Sequence, residues 1–317
     1  MSIKMKNLLT HLQHPNSTKD YQAEDEADAI KISEYWGRRT YQNQKPKISF
    51  ELFPPKSDSA NKLLKKTHQK LSEINPDYFS VTFGALGLSQ NDTFDTVADL
   101  SENTKIPIIP HLTCVGIDKK QVTDLLDEYI AQGVNQIMVL KGDYPKTIIK
   151  KGDFNYANEM VEFIKENYLD INILVAAYPE KHPHSNCISK DIDFFVNKVN
   201  AGADEAVTQY FYNIDAYLHF IEEVQKRNID IPITPGIMPI TNYDQLIYFS
   251  KTCGAEIPAW ILNKLKLYKN DLNSLKEFGE DVVSEMCLKL KDNGVSSFHF
   301  YCLNKAEPTL SIVKKIT

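Results

Sequence analysis

Glu51 sits inside an otherwise apolar run, Ser49-Phe50-Glu51-Leu52-Phe53-Pro54-Pro55, and Asp143 ends another, Leu140-Lys141-Gly142-Asp143. A carboxyl among apolar neighbours is pushed toward its protonated form, which suits a general acid; an anionic carboxylate suits stabilisation of a developing cation. Other polar groups fall at the ends of similar runs. They are Thr82 after Ser80-Val81, His111 after Pro110, Tyr178 and His182 in Ala177-Tyr178-Pro179-Glu180-Lys181-His182, Gln209 after Thr208, and Lys305 beyond His299-Phe300-Tyr301. Each has a bland alternative. Glu51 can pair with Lys141, His111 can be a core histidine with satisfied nitrogens, and Asp143 can cap a helix. His182 and His184 form an H-x-H pair, but zinc normally takes three protein ligands and no third is evident, so no metal site is expected. Taken together the bland readings fail, because this many buried ionisable and amide groups are costly unless they face a ligand.

The runs that carry these groups are short and rich in β-branched or aromatic residues: Ile48–Phe53, Tyr78–Phe83, Ile106–Leu112, Gln136–Leu140, Ile173–Tyr178, Ala206–Phe211, Ile231–Ile237 and Ser297–Tyr301. They recur at roughly 30 residues, the length of one strand–helix–strand step. One helix-sized segment fills each gap, except the last, which holds two or three. Three helix-to-strand joints look alike, with Gly133, Gly202 and Gly294 placed to end a helix just before a run. Glycine there supplies the left-handed residue past a helix end. Eight strands alternating with helices fit a closed (β/α)8 TIM barrel better than an open doubly wound sheet. The dinucleotide fingerprint G-x-G-x-x-G is missing, which removes the open sheet's main support. In such a barrel the chemistry lies at the C-terminal ends of the strands, where these polar groups stand. The expected organisation is an N-terminal helical extension over residues 1–45 and an α/β barrel over 46–317.

Composition sets the outer limits. The 317 residues carry 36 Lys+Arg against 42 Asp+Glu, a net charge of −6, with 42% apolar and 25% charged residues. That is the balance of a folded globular chain. No basic face stands out for nucleic acid, and the longest apolar stretch, Phe79–Leu88, is far short of a bilayer span. Five scattered cysteines without a C-x-x-C pair read as free thiols. With no secretory h-region, and an acidic run at Glu24–Asp28, a cytoplasmic location is expected.

The segments Ser49–Lys56, Ser80–Ala85, Pro110–Cys114, Leu140–Asp143, Val175–Pro183, Ala201–Tyr212, Thr234–Tyr243, Ile257–Trp260 and Phe298–Glu307 resemble the methylenetetrahydrofolate reductases, in order and at successive strand ends. The resemblance implies a flavoprotein that takes hydride from NADH or NADPH onto FAD. It then passes the hydride to 5,10-methylenetetrahydrofolate, giving 5-methyltetrahydrofolate in a ping-pong scheme. Glu51 matches the family's general acid and Asp143 an aspartate near both flavin and pterin. Gln209 matches a residue that binds folate and nicotinamide. Thr82, His111, Leu140, Lys141, Gly142, Asp143, Tyr156, Ala157, Tyr178, His182, Asp191 and Lys198 fall where the family binds FAD. A homotetramer is also implied.

The chain departs from the family pattern at three of these positions. Lys141 and Lys305 stand where bacterial relatives have Arg, and lysine cannot reproduce a bidentate fork. Tyr243 stands where a Phe packs on the substrate. Two other readings are a barrel subunit without catalytic activity and a flavin-free reductase; the colour of the purified protein separates the second.

Overall fold

A computed structural model describes residues 45–83, 90–142 and 152–317. Nearly all of the expected 1–45 extension lies outside these residues, as does Asp143. Among the described residues nine strands form one parallel sheet: β1 (Lys47–Leu52), β2 (Tyr78–Val81), β3 (Ile108–Thr113), β4 (Gln136–Leu140), β5 (Asn172–Ala177), β6 (Glu205–Thr208), β7 (Ile233–Thr234), β8 (Gly236–Ile237) and β9 (Ser297–Tyr301). The order around the sheet is β7-β6-β5-β4-β3-β2-β1-β9-β8.

The run Ile231–Ile237, expected as one strand, is divided. Pro235 has no N–H to give to a ladder, so pairing lapses there. β7 pairs with β6, while β8 pairs with β9. The two halves are consecutive in the chain and together make one broken stave that closes the barrel. The Gly236 N–H crosses the break to Thr208 Oγ1 at 2.9 Å, and the Pro235 carbonyl accepts from the His299 N–H at 3.0 Å. Eight staves result, as the α/β barrel reading requires.

Ten helices cover the outside among the described residues: α1 (Asp58–Ser72), α2 (Gln90–Ser101), α3 (Lys119–Ala131), α4 (Ala157–Asn167), α5 (Ile188–Asn200), α6 (Ile214–Gln225), α7 (Tyr243–Cys253), α8 (Ala259–Leu267), α9 (Leu272–Asp292) and α10 (Thr309–Ile316). Each buries one stripe. In α1 this is Leu64, Thr67, His68 and Leu71, a spacing that returns to the same face every turn. The joints at Gly133, Gly202 and Gly294 all take positive φ. Three helices, α7 to α9, fill the last gap. No described helix is long and apolar enough to cross a membrane.

Side chains alternate between the sheet's two faces. Phe50, Leu52, Phe79 and Val81 point outward and pack with the helices in the main core. A separate small cluster, Ile109, Met138, Leu174 and Val207, lies on the opposite face and fills part of the barrel interior. Ser49, Glu51, Ser80, His111, His299 and Tyr301 share that inward face by register.

Candidate active site

Glu51 is the last inward residue of β1, level with Ser80 on β2 and Tyr301 on β9. The strand's apolar residues hold it there, and 22% of its side chain remains exposed, enough to exchange protons with solvent. Burial pushes its carboxyl up to about 8. His111 Nε2 stands 3.9 Å from Glu51 Oε2, too far for a hydrogen bond. Burial drives His111 down to about 3, so at neutral pH an uncharged imidazole faces an uncharged acid. The alternative in which Glu51 pairs with Lys141 is not what the structure holds: Lys141 is exposed and its ammonium lies 4.9 Å from the centre of the Tyr156 ring. Nor is His111 a satisfied core histidine, since its Nε2 is buried with no hydrogen-bond partner.

Behind Glu51 lies a polar cluster beyond the expected site residues. His299 is fully buried, its Nδ1 2.7 Å from Ser49 Oγ and its Nε2 3.4 Å from Ser80 Oγ. Its ring stacks on Tyr78 and meets Tyr301 edge-on. Burial, and then His111, lowers His299 to about 3. The Tyr301 hydroxyl donates to the Thr208 carbonyl oxygen at 2.7 Å, and burial raises it well above its ordinary value. The spacing His299-x-Tyr301, two polar residues on the inward side of an apolar strand, was the signal available.

A second group forms where β5, its following loop and α5 meet. Lys198, half-buried at the last turn of α5, donates to the Ala176 carbonyl oxygen and lies 5.8 Å from the ring centres of both Tyr178 and Phe195. Burial lowers its ammonium to about 8, against the pull of Asp191. Asp191 Oδ2 accepts from the His182 N–H at 3.0 Å, and the His182 ring is edge-on to Tyr178 at 4.8 Å. The His184 N–H donates to His182 Nδ1 at 3.2 Å. Tyr178, His182, Asp191 and Lys198 thus come together as one cluster. Among the described residues no group of three or more His, Cys, Asp or Glu is arranged to hold a metal.

The remaining expected residues are spread around the mouth. Thr82 follows β2, and its Oγ1 is buried without a partner. Leu140 ends β4, and a Cβ on Gly142 would sit 2.8 Å from Thr113 Cβ, so only glycine lets that strand end pass. Tyr156 caps α4 with its ring half-exposed, and Ala157 is buried beside it. Gln209 continues the ladder past β6, its N–H donating to the Ala177 carbonyl oxygen at 2.8 Å and its Oε1 accepting from the Tyr210 N–H at 3.0 Å. Lys305 lines a small cleft with Tyr301, Pro239 and Thr241. Tyr243 has a different neighbourhood: it opens α7 and receives the Lys269 ammonium 5.0 Å from its ring centre.

The site offers polar groups that the protein itself leaves unmet. Two buried polar atoms, Thr82 Oγ1 and His111 Nε2, lack partners, and such orphans are uncommon unless a ligand or water meets them. Lys198 has three donors, one of them directed at the Ala176 carbonyl oxygen.

A family model described as methylenetetrahydrofolate reductase matches residues 37–317. The 5,10-methylenetetrahydrofolate reductase of Buchnera aphidicola subsp. Schizaphis graminum is 38% identical over 270 residues, 85% of this chain and 91% of that protein. That of Escherichia coli K12 is 33% identical over 265 residues, 84% of this chain and 88% of that one. A rice protein named probable methylenetetrahydrofolate reductase (NADH) is 31% identical, with 85% of this chain matching 48% of its length. Among solved structures, an uncharacterised Clostridium thermocellum protein that binds two copies of 5-methyl-5,6,7,8-tetrahydrofolic acid aligns with a TM-score of 0.61 at 18% identity. The alignment covers 89% of this chain and 98% of that one, a likeness of fold. The chain belongs to the methylenetetrahydrofolate reductase family.

Proposed function

We propose that the protein reduces 5,10-methylenetetrahydrofolate to 5-methyltetrahydrofolate with NADH or NADPH, using FAD as its resident cofactor. The observation that carries this reading is Glu51, an acid held protonated to about 8 at the C-terminal end of β1 beside an uncharged histidine. When bound, FAD would carry hydride between the nicotinamide and the folate. Thr82, His111, Leu140, Lys141, Gly142, Tyr156, Ala157, Tyr178, His182, Asp191 and Lys198 would hold it. Lys198 and Lys141 would supply positive charge to the pyrophosphate without a glycine-rich loop.

Glu51 would give its proton to the folate amine as the five-membered ring opens to an iminium, then recover one from solvent through its exposed edge. A protonated carboxyl near neutral pH is what that step needs. The uncharged His111 leaves Glu51 without a cation that would pull the proton off. Gln209 would offer an amide to the folate and the nicotinamide in turn, Tyr243 a ring face, and Lys305 a charge for the folate tail. Asp143, outside the described residues, would stabilise the cationic iminium. A homotetramer, expected from the resemblance, is checked by light scattering.

The test is Glu51→Gln in stopped flow, following the two half-reactions separately. Flavin reduction by the nicotinamide should survive, while folate reduction should fall by roughly 10²–10⁴-fold, the usual weight of a general acid. Equal loss in both would leave Glu51 only a structural role.

A further inference from the structure

The loop between β5 and α5, residues 178–187, carries Tyr178 and His182 and reaches a helix that is not its neighbour in sequence. Glu180 Oε2 accepts a hydrogen bond of 2.8 Å from the Glu256 N–H, just past the end of α7. Its other oxygen, Oε1, is buried with no hydrogen-bond partner. Gly254, at φ +78°, ends α7 tightly against the same loop: a Cβ there would lie 3.0 Å from the Lys181 carbonyl oxygen and from Pro183 Cδ. Next to Gln209, the Tyr210 hydroxyl lies 3.2 Å from Ser250 Oγ in the last turn of α7. The same helix begins at Tyr243. One rigid element therefore has the proposed substrate ring at one end and the loop's anchor at the other.

We propose that Glu180 is a positioning residue: it ties the 178–187 loop to the end of α7 and so fixes Tyr178 and His182 against the cofactor. This rests on the flavin reading above. The tie joins groups that no local sequence pattern connects, since Glu180 and Glu256 are 76 positions apart.

The ionisable groups facing the carboxyl are Glu256 and Tyr210, with Cys253 beside Tyr210. None of these brings a positive charge, and Lys181 turns its ammonium to the Ser185 carbonyl oxygen. Burial pushes Glu180 up to about 7, opposed by the Glu256 N–H and reinforced by the Glu256 charge. A carboxyl whose folded value is raised adds stability below its unfolded value and loses that contribution as pH rises through the folded one. The tie is firmest below the ordinary glutamate range and its hold is lost as pH rises to about 7, because burying the new charge costs more than the Glu256 N–H returns.

Glu180→Ala and Glu180→Gln are to be compared with the parent by hydrogen exchange of peptides covering 178–187 and Glu256, with and without FAD. FAD affinity is titrated at about pH 6 and about pH 8.5, on either side of the transition. Glu180→Ala should speed exchange in both segments and weaken FAD binding about tenfold, the scale of one lost hydrogen bond with its partner left bare. Glu180→Gln keeps an acceptor for the Glu256 N–H and stays neutral. It should restore protection and affinity and abolish the Glu180 part of the pH difference. Unchanged exchange in Glu180→Ala overturns the tie. Faster exchange with unchanged FAD affinity overturns its positioning role, and so does a Gln variant that behaves as Ala. A chain that takes up no FAD sinks the flavin reading, and the exchange measured without cofactor still decides the tie.

Discussion

Glu51 and His111 lie 3.9 Å apart and are both uncharged near pH 7, so burial rather than ion pairing governs the acid. Its raised value makes a kinetic and a thermodynamic prediction with one sign. The folate half-reaction should fall as pH rises through about 8, where Glu51 loses the proton it must donate. Stability follows the same direction: the proton binds more tightly in the folded chain than in the unfolded one. The Glu51 contribution is therefore complete below the ordinary glutamate range and is lost as pH climbs to about 8. Glu51→Gln cannot ionise, so its melting temperature should gain on the parent's between pH 6 and pH 9. Thermal melts at the two pH values check this, and an equal shift in both proteins would refute it. Glu51 was legible in the sequence because a lone carboxyl in an apolar run is conspicuous. The unsatisfied state of His111 was not, because it depends on distances across the barrel.

At the scale of elements, the end of β1 is held by the turn after β9. Asn304 copies a strand: its Oδ1 accepts from the Phe53 N–H at 3.0 Å and its Nδ2 donates to the Phe53 carbonyl oxygen at 2.8 Å. Thr67 Oγ1 in α1 donates to the Asn304 carbonyl oxygen at 3.1 Å. Asn304 takes φ +52°, a conformation that asparagine tolerates better than most residues. Asn304→Ala should leave both Phe53 groups unpaired and cost about 2–4 kcal/mol in urea melts. It should also slow folate reduction more than nicotinamide oxidation, because Phe53 is two residues from Glu51; equal slowing would detach the clamp from the acid. The beat of strands and helices and the three glycine ends were readable because each is a local rule of backbone geometry. The break at Pro235 has a local signal too, a proline inside an apolar run. Which element Asn304 holds was not readable, since the contact spans 251 positions.

Across the whole molecule the barrel interior divides in two. Inward positions on β2, β1 and β9, adjacent in the sheet, are Tyr78, Ser80, Ser49 and His299. Those on β3 to β6 include an apolar cluster, Ile109, Met138, Leu174 and Val207, with His111 at the upper end of β3 and the hydrogen-bonded pair Asn172 and Glu205 at the lower ends of β5 and β6. The polar half runs beneath Glu51 and the apolar half beneath the strands that lead to Tyr178 and Gln209. Sequence periodicity gives each strand an inward face but not the order of strands around the barrel, so this division needed the topology. It predicts that stability and acid chemistry can be separated. Leu174 is 1% exposed and packed inside the apolar half, so Leu174→Ala should cost about 2–5 kcal/mol, the usual range for a buried leucine. Below its melting temperature the variant should keep the pH dependence of folate reduction, because Ser49, Ser80, His111 and His299 are left in place around Glu51. A lowered midpoint in urea with an unmoved pH profile is the expected pair of results. A profile displaced along with the midpoint would mean that the two halves form a single packed unit.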